Sequence, residues 1–328
     1  MVRNLVASAA TAFVMVAGLA PVASAFEPEK PECVAPAGQG GGWDFTCRSV
    51  GKIMYDLGYV STPVQVVNMP GGSGAVAWAN ISSKREDDPN LFVATSAVAA
   101  TMLAQDRYPS GPDAVKWLAM LGADSGVVLV SQDSPYTSLE DLITALSEDP
   151  SSVVAGGSSA IGGWDHLRYL LAAKAGGMSG DALKEMRWVQ YDGGSPAVTQ
   201  MMGGHVDVVV TDIGEIAGFI ESGDAVGLAV MSEERLPAFP DVPTAIEQGY
   251  DMVGYNWRGF YLPGEVDQET YDGWLDVMAQ LFESDEWQQT AEQNGLTPIY
   301  NGGESFNTFV LENVEAQREL SREIGVIQ

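Results

Sequence analysis

Cys33-Val34-Ala35-Pro36-Ala37-Gly38-Gln39-Gly40-Gly41-Gly42-Trp43-Asp44 opens as a short β-like run and passes through a glycine-rich turn. It leads into a segment with apolar Val50, Ile53, Met54 and Leu57. Those four fall at i, i+3, i+4 and i+7, one face of a helix, and Gly58 suits its C-terminal cap. Strand, glycine turn and helix together make the unit of an α/β fold. The unit recurs along the chain without a fixed period.

Val64 to Val67 precedes Asn68-Met69-Pro70-Gly71-Gly72-Ser73-Gly74 and a short helix Ala75 to Ile81, with Ser73 as its expected N-cap. Leu91 to Thr95 leads through Ser96 into a helix Ala97 to Ala104. Val153 to Ala155 leads through Gly156-Gly157-Ser158-Ser159-Ala160-Ile161-Gly162-Gly163 into a helix with Leu167, Leu170 and Leu171, stopped at Gly176-Gly177. Trp188 to Tyr191 is followed by Asp192-Gly193-Gly194-Ser195-Pro196, where Ser195 is the expected N-cap and Pro196 suits the first helical position. Gly203-Gly204 ends that helix, and Val206 to Val210 reads as a buried strand closing on Thr211-Asp212. Each turn offers backbone N–H groups at the positive end of a helix, which is a preformed anion site. One such turn is ordinary α/β punctuation; four or five in one chain point to a ligand cradle.

The 328-residue chain has 44 acidic against 16 basic residues, a formal charge of −28 with no Lys/Arg run. That excludes a nucleic-acid binder, which needs a clustered basic surface, and weakens attachment to anionic lipid. Hydrophobic residues at 46%, with 37 Gly and 17 Pro, fit a loop-rich globular protein rather than a disordered acidic chain. Arg3, the apolar run Leu5 to Ala20, and Ala23-Ser24-Ala25 form the three parts of a secretory signal (residues 1–25) cleaved after Ala25. A retained anchor would need about 20 apolar residues, so a periplasmic location is expected. In that oxidising compartment Cys33 and Cys47, the only cysteines, are expected to form a bridge, with two buried free thiols as the alternative.

Catalytic and cofactor chemistry is missing. Gly71-Gly72-Ser73-Gly74-Ala75 lacks the closing glycine of a nucleophile elbow. Gly38 to Trp43 ends on Trp where the dinucleotide fingerprint has Gly, and no Gly-Lys-Ser/Thr occurs. His166, beside Asp165 at the start of a helix, reads as a partly exposed residue or a cap contact rather than half of a dyad, and His205 as a turn residue. Neither His forms a metal-ligand pair with a Cys. No enzyme, cofactor or metal is expected. Arg258, in the aromatic strand-like stretch Tyr255-Asn256-Trp257-Arg258-Gly259-Phe260-Tyr261, has two readings: a bidentate carboxylate contact or a surface ion pair.

Cys33 to Arg48 resembles the first ligand loop of the extracytoplasmic substrate-binding proteins of tripartite tricarboxylate transporters. It is most similar to the tricarboxylate-binding branch, which has a Cys at each end of this loop. Further similar segments follow in the family's order: Asn68 to Gly74, Gly156 to His166, Tyr191 to Ala197 with Gly203 to Asp207, Leu236 to Thr244, and Asn256 to Gly259. The resemblance covers essentially the whole chain after the signal. It implies a type II periplasmic-binding-protein-like fold, two α/β lobes with a ligand cleft between them. It also implies capture of a small organic carboxylate by backbone amides and hydroxyls, partly through ordered waters, and delivery to membrane permease subunits.

Carried over by position, Gly40, Gly41, Gly42, Asp44, Asn68, Gly72, Ser73 and Ser96 line one lobe. Ser158, Ser159, Gly162, Tyr191, Gly194, Ser195 and Asp212 line the other, with Arg258 as a further candidate. Asp44 suits a helix cap or water-holder better than a ligand contact, because two carboxylates repel. Relatives of the tricarboxylate branch commonly have Lys-Pro where this chain has Gly38-Gln39. That favours a dicarboxylate or aromatic carboxylate, whereas Arg258 favours a citrate-like ligand, which is kept first.

Chain order suggests lobe one from 26 to 125 and again from 245 to 328, and lobe two from 126 to 244. The strand-like runs Val127 to Ser131 and Trp257 to Leu262 are the candidate crossings. Trp274, Leu275, Met278 and Leu281, then Phe306, Phe309 and Val310, read as core-facing helices. A monomer is expected. The alternatives are a ligand-sensing module for a signalling partner and a secreted serine hydrolase.

Overall fold

The computed structural model describes residues 26–40, 42–191 and 193–328. The expected signal, Gly41 and Asp192 lie outside the described residues. The first part of the chain runs β1 (Glu32–Ala35), α1 (Gly42–Asp56), β2 (Gln65–Asn68), α2 (Ala75–Lys84), β3 (Leu91–Ser96), α3 (Ala97–Ala104) and β4 (Val115–Ser131). Then come α4 (Leu139–Glu148), β5 (Val154–Gly157), α5 (Trp164–Ala175), α6 (Asp181–Glu185), β6 (Arg187–Gln190), α7 (Gly194–Met202), β7 (Val208–Asp212), α8 (Ala217–Glu221) and β8 (Ala225–Val230). The chain closes with β9 (Tyr255–Pro263), α9 (Gln268–Phe282), α10 (Asp285–Gln293), β10 (Leu296–Thr297), β11 (Asn301–Gly302) and α11 (Glu304–Glu323). The expected strand–turn–helix units are present, shifted by up to three residues at their ends.

The strands follow the order β2-β1-β3-β9-β4-β7-β5-β6, with β8, β10 and β11 also on β4. Pairing is parallel within β2-β1-β3 and within β6-β5-β7, as crossover helices require. β4 joins the two sets. Val115 to Ser125 pairs with β9, and Gly126 to Ser131 pairs with β7 and β8, all antiparallel. The expected strand Val127 to Ser131 is thus the second half of one 17-residue strand. At the join the Gly126 amide donates to the Gly254 carbonyl at 3.1 Å. A Cβ on Gly126 would stand 2.6 Å from an Nη of Arg168, and one on Gly254 would stand 3.1 Å from its Cδ. Both crossing segments therefore need glycine where this buried side chain passes.

Trp274, Met278, Leu281, Phe306 and Val310 are fully buried, as their helical spacing predicts. α11 packs on α3, where Gln317 takes the Thr101 hydroxyl proton. Cys33 and Cys47 are bridged, with Cα atoms 5.6 Å apart, pinning β1 to α1. No helix among the described residues is long and apolar enough to cross a membrane.

Two caps differ from expectation. Ser73 does not cap α2: a 3-10 turn Gly72–Gly74 intervenes, Ser73 lies in the left-handed region (φ 52°), and Gly74 (φ 96°) takes the cap position. The Tyr108 hydroxyl holds the Ser73 carbonyl at 2.9 Å, so the turn is fixed by tertiary contact rather than by a serine cap. Ser195 does not cap α7 either. That helix begins at Gly194, and Pro196 is its third residue, where a missing N–H is still harmless.

Candidate functional site

A cavity of about 250 Å³ opens between the two strand sets. Ala37, Gly42, Trp43, Ser73, Ser96 and Val98 line it from one side. Ser158, Ser159, Trp164, Asp165, Asp212 and Glu215 line it from the other, and Asn256 and Arg258 of β9 complete it. The first turns of α1, α3 and α5 all reach it, which is the convergence the repeated turns predict. A larger recess of about 510 Å³ beside Phe26 is bordered by Glu27, Glu29, Asp267 and Glu269 without any Lys or Arg, so it suits an anion poorly.

On the first side the loop after β1 is built around Asp44. Its carboxylate is 2% exposed and accepts from the Gly40 amide (2.9 Å), Arg48 Nε (2.9 Å) and Asn68 Nδ2 (2.8 Å). Arg48 first, then the Gly40 amide and Asn68, pull its pKa down to about 2 against the opposing effect of burial. Asn68 also donates to the Ala37 carbonyl at 3.0 Å. Asp44, Asn68 and Gly40 thus shape the loop, and none lines the cavity. Gly42 does: a Cβ there would stand 3.3 Å from the Arg258 guanidinium carbon, so the loop passes directly against the arginine. Ser96, at the end of β3, caps α3 by accepting from the Val98 amide at 3.3 Å.

On the second side three amides are taken by the chain's own acids. Ser158 donates its amide (2.9 Å) and its hydroxyl to Asp165. The Gly194 amide donates to Glu215 at 2.8 Å, and the Gly214 amide donates to Asp124 at 3.2 Å. Ser159 accepts from the Asp165 amide at 3.0 Å, finishing the start of α5. Gly72 lies in the 3-10 turn before Ser73, and the Gly162 amide goes to His166 Nδ1 at 3.0 Å. Tyr191 packs its ring over Gly156, and the Ser195 hydroxyl donates to the Glu215 carbonyl at 2.9 Å. Gly72, Gly162, Tyr191, Gly194 and Ser195 are not among the residues that line the cavity. Gly41 lies outside the described residues.

Behind this wall lies an ionic network. Arg168 is fully buried; its Nη2 donates to Asp165 (2.5 Å) and Asp212 (2.6 Å), and its Nη1 to the Gly254 carbonyl (3.4 Å). Its guanidinium lies 5.7 Å from the Trp164 ring centre. Asp212 also accepts from Asn256 Nδ2 (2.6 Å) and Arg258 Nη2 (3.3 Å), and Asp124 stands 3.8 Å from Arg258. Burial and then the Asp212 charge push the Asp124 carboxyl well above the usual range, against the pull of Arg258. Burial raises Asp165 as well, partly offset by Arg168.

Of the two readings of Arg258, the surface ion pair does not hold. Its side chain is 11% exposed, so the pair it makes is not a surface pair, and the same guanidinium lines the cavity. His166 is buried rather than partly exposed. Burial lowers its pKa to about 4, so it stays neutral and accepts from Gly162.

Sequence reasoning missed Trp43, Trp164, Asp165, Glu215 and Asn256 as wall residues. Asn256 was legible, because it sits two residues before Arg258 and alternate strand residues share a face. Asp165 and Glu215 carry no such periodic signal.

Residues 56–326 match the model of the tripartite tricarboxylate transporter family receptor. The chain is 25% identical to protein BugT of Bordetella pertussis over 320 residues, 95% of each chain. Its fold is similar to that of a TctC solute-binding protein from Polaromonas, with a TM-score of 0.74 at 22% identity, covering 90% of this chain and 99% of that one. It is also similar to MatC from Rhodopseudomonas palustris, solved with bound malate, with a TM-score of 0.70 at 17% identity, covering 89% and 98%. The chain belongs to the tripartite tricarboxylate transporter receptor family, a family of solute-binding receptors rather than enzymes.

Proposed function

We propose that this receptor captures a small organic carboxylate in the cavity between the two strand sets, in the periplasm, and delivers it to a membrane permease. One observation carries the reading: Gly42, Ser73 and Ser96 converge with the Arg258 guanidinium on a single small cavity. Hydroxyls, helix-start amides and one arginine are the donor set a carboxylate needs. The malate in the MatC structure accords with this class of ligand.

A dicarboxylate fits better than a citrate-like tricarboxylate. Arg258 is the only Lys or Arg among the described lining residues, it is already shared with Asp212 and Asp124, and Asp165, Asp212 and Glu215 line the same space. On this reading residues 26–125 with 245–328 form one lobe and 126–244 the other. They close about the crossings at Gly126 and Gly254, and the working unit is a monomer released by cleavage after Ala25.

Calorimetric titration of the chain from Phe26 with mono-, di- and tricarboxylates and aromatic acids tests the proposal. Binding of at least one acid with one site per chain supports it. No heat with any of them, together with turnover of ester substrates, overturns it.

A further inference from the structure

The end of α11 links the two strand sets by a route separate from β4 and β9. Along its length the helix belongs with the first set: Gln317 meets Thr101 of α3, and Arg318 Nη2 donates to the Leu103 carbonyl at 3.0 Å. Its last turn touches the second set. Glu323 pairs with Lys174 of α5 at 2.5 Å and accepts from the Gly180 amide at 3.4 Å. Val326, turned back by the bond from its amide to the Ser321 carbonyl (2.9 Å), lies directly on Gly162, where a Cβ would stand 2.9 Å from Val326 Cγ1. Beside them sits Gln105, at the end of α3 and 5% exposed, whose Nε2 donates to the Gly162 carbonyl at 2.6 Å and to the Ser321 hydroxyl at 3.2 Å.

Gly162 matters because of the loop it belongs to, which runs from β5 to α5 and carries the cavity residues Ser158 and Ser159. That loop is fastened to its own side. Ser158 is bonded to Asp165, the Ser159 carbonyl accepts from Trp188 Nε1 at 2.8 Å, and the Ser159 hydroxyl accepts from the Asp165 and His166 amides at 3.0 and 3.3 Å. When the strand sets separate, the loop therefore travels with the second set, and the bond to Gln105 is the one that parts. We propose that Gln105 is a positioning residue for the ligand cavity: with Val326 it latches the loop 158–163 to α3 and holds the two walls at the separation at which one carboxylate ligand spans them. Gln105 is not among the cavity-lining residues, so it acts through the loop rather than on the ligand. The inference rests on the carboxylate-receptor reading and on the two-lobe division given with it.

The strength of the contact suits a latch that releases. A buried amide-to-carbonyl bond shifts an equilibrium by a net factor of about three to ten. Against that, Gln105 Oε1 has no donor among the described residues, and this buried acceptor regains water when the contact opens. The Lys174–Glu323 pair, with side chains 46% and 24% exposed, adds little. The contact thus biases the lobes toward the arrangement that encloses the cavity without locking them in it, and a ligand that bridges the walls completes the shift.

Two variants test the assignment. Gln105→Met keeps the length and the apolar packing of the side chain but removes the donor. A chain ending at Gly325 removes Val326 and leaves Gln105 and all of α11 in place, and it carries the test if Gln105→Met does not fold. Melting curves establish folding, calorimetry gives the dissociation constant of the tightest-binding carboxylate, and small-angle X-ray scattering gives the radius of gyration with and without that ligand. Each variant is expected to bind at least about threefold more weakly than the wild type. Each should also have a larger radius of gyration than the ligand-free wild type, returning to the wild-type value at saturation. A merely structural role for Gln105 lowers the melting temperature and moves neither readout. A weakening of less than about threefold in either folded variant overturns the inference, and so does a ligand-free radius of gyration equal to that of the wild type. Both results leave the carboxylate-receptor reading standing, which fails instead if the wild type binds none of the mono-, di- or tricarboxylates or aromatic acids.

Discussion

Arg168→Met removes the one cation shared by two buried carboxylates. Arg168 is fully buried, Asp165 and Asp212 are each about 4% exposed, and both rely on its Nη2, at 2.5 and 2.6 Å. Met fills most of the stem volume, so the loss is electrostatic rather than a cavity. Breaking one partner out of a buried ion network costs about 3–5 kcal/mol, because the desolvated charges left behind are uncompensated. At ~2–4 °C per kcal/mol for a domain of this size, the melting temperature should fall by roughly 6–20 °C.

The pH dependence of that loss identifies its cause. Burial already places Asp165 above the ordinary carboxylate value, with Arg168 opposing. Without Arg168 its folded pKa rises further above the unfolded one. The folded variant then binds a proton more readily than the unfolded chain, so its stability falls as pH rises between the two values. The gap to the wild type should be widest near neutral pH and should narrow toward about pH 4, where the unfolded carboxyl is also protonated. Urea denaturation followed by both circular dichroism and tryptophan fluorescence measures the gap and checks for two-state behaviour. A loss below about 1 kcal/mol, or a gap that does not change with pH, would refute the assignment of Arg168 as the compensating charge.

Other expectations can be checked with similar tools. The double variant Cys33→Ala, Cys47→Ala should lose roughly 3 kcal/mol, the value for closing a loop of about 15 residues; an unchanged urea midpoint would show that the unfolded chain is not constrained by the bridge. His166 should titrate by NMR with a midpoint near 4, the value to which burial lowers it. Since the unfolded imidazole binds its proton at higher pH, stability should decline as pH falls from the ordinary histidine range toward that midpoint; a midpoint in the ordinary range would contradict the buried neutral ring. Because a chain of formal charge −28 must attract an anion locally, carboxylate affinity should hold or improve when roughly 0.1–0.2 M salt is added; a tenfold weakening would show long-range attraction instead.

The α/β architecture was legible because its signals are local. Glycine turns such as Gly38 to Gly42 and apolar helical spacing such as Val50, Ile53, Met54 and Leu57 depend on residues close in sequence. The caps at Ser73 and Ser195 were misplaced for the opposite reason. Ser73 is held in a left-handed turn by Tyr108, and Ser195 is drawn to the Glu215 carbonyl, both long-range partners.

The cavity wall was legible in part. Ser73, Ser96, Ser158 and Ser159 lie where the turns put them. What the sequence could not show is that Asp165, Glu215 and Asp124 take up amides that would otherwise face a ligand. Those pairings join residues 7, 21 and 90 positions apart. They withdraw three of the amides that the repeated turns led one to expect at the cavity.

The central claim, that a carboxylate is held in this cavity by Arg258 and its neighbouring hydroxyls, is tested most directly by the dissociation constant of the tightest-binding carboxylate for the wild type, Arg258→Lys and Arg258→Ala. The account expects about tenfold or greater weakening in both variants, because lysine keeps the charge but cannot supply two parallel N–H donors to one carboxylate. Equal dissociation constants in all three proteins, with each shown to be folded by its melting curve, would contradict it.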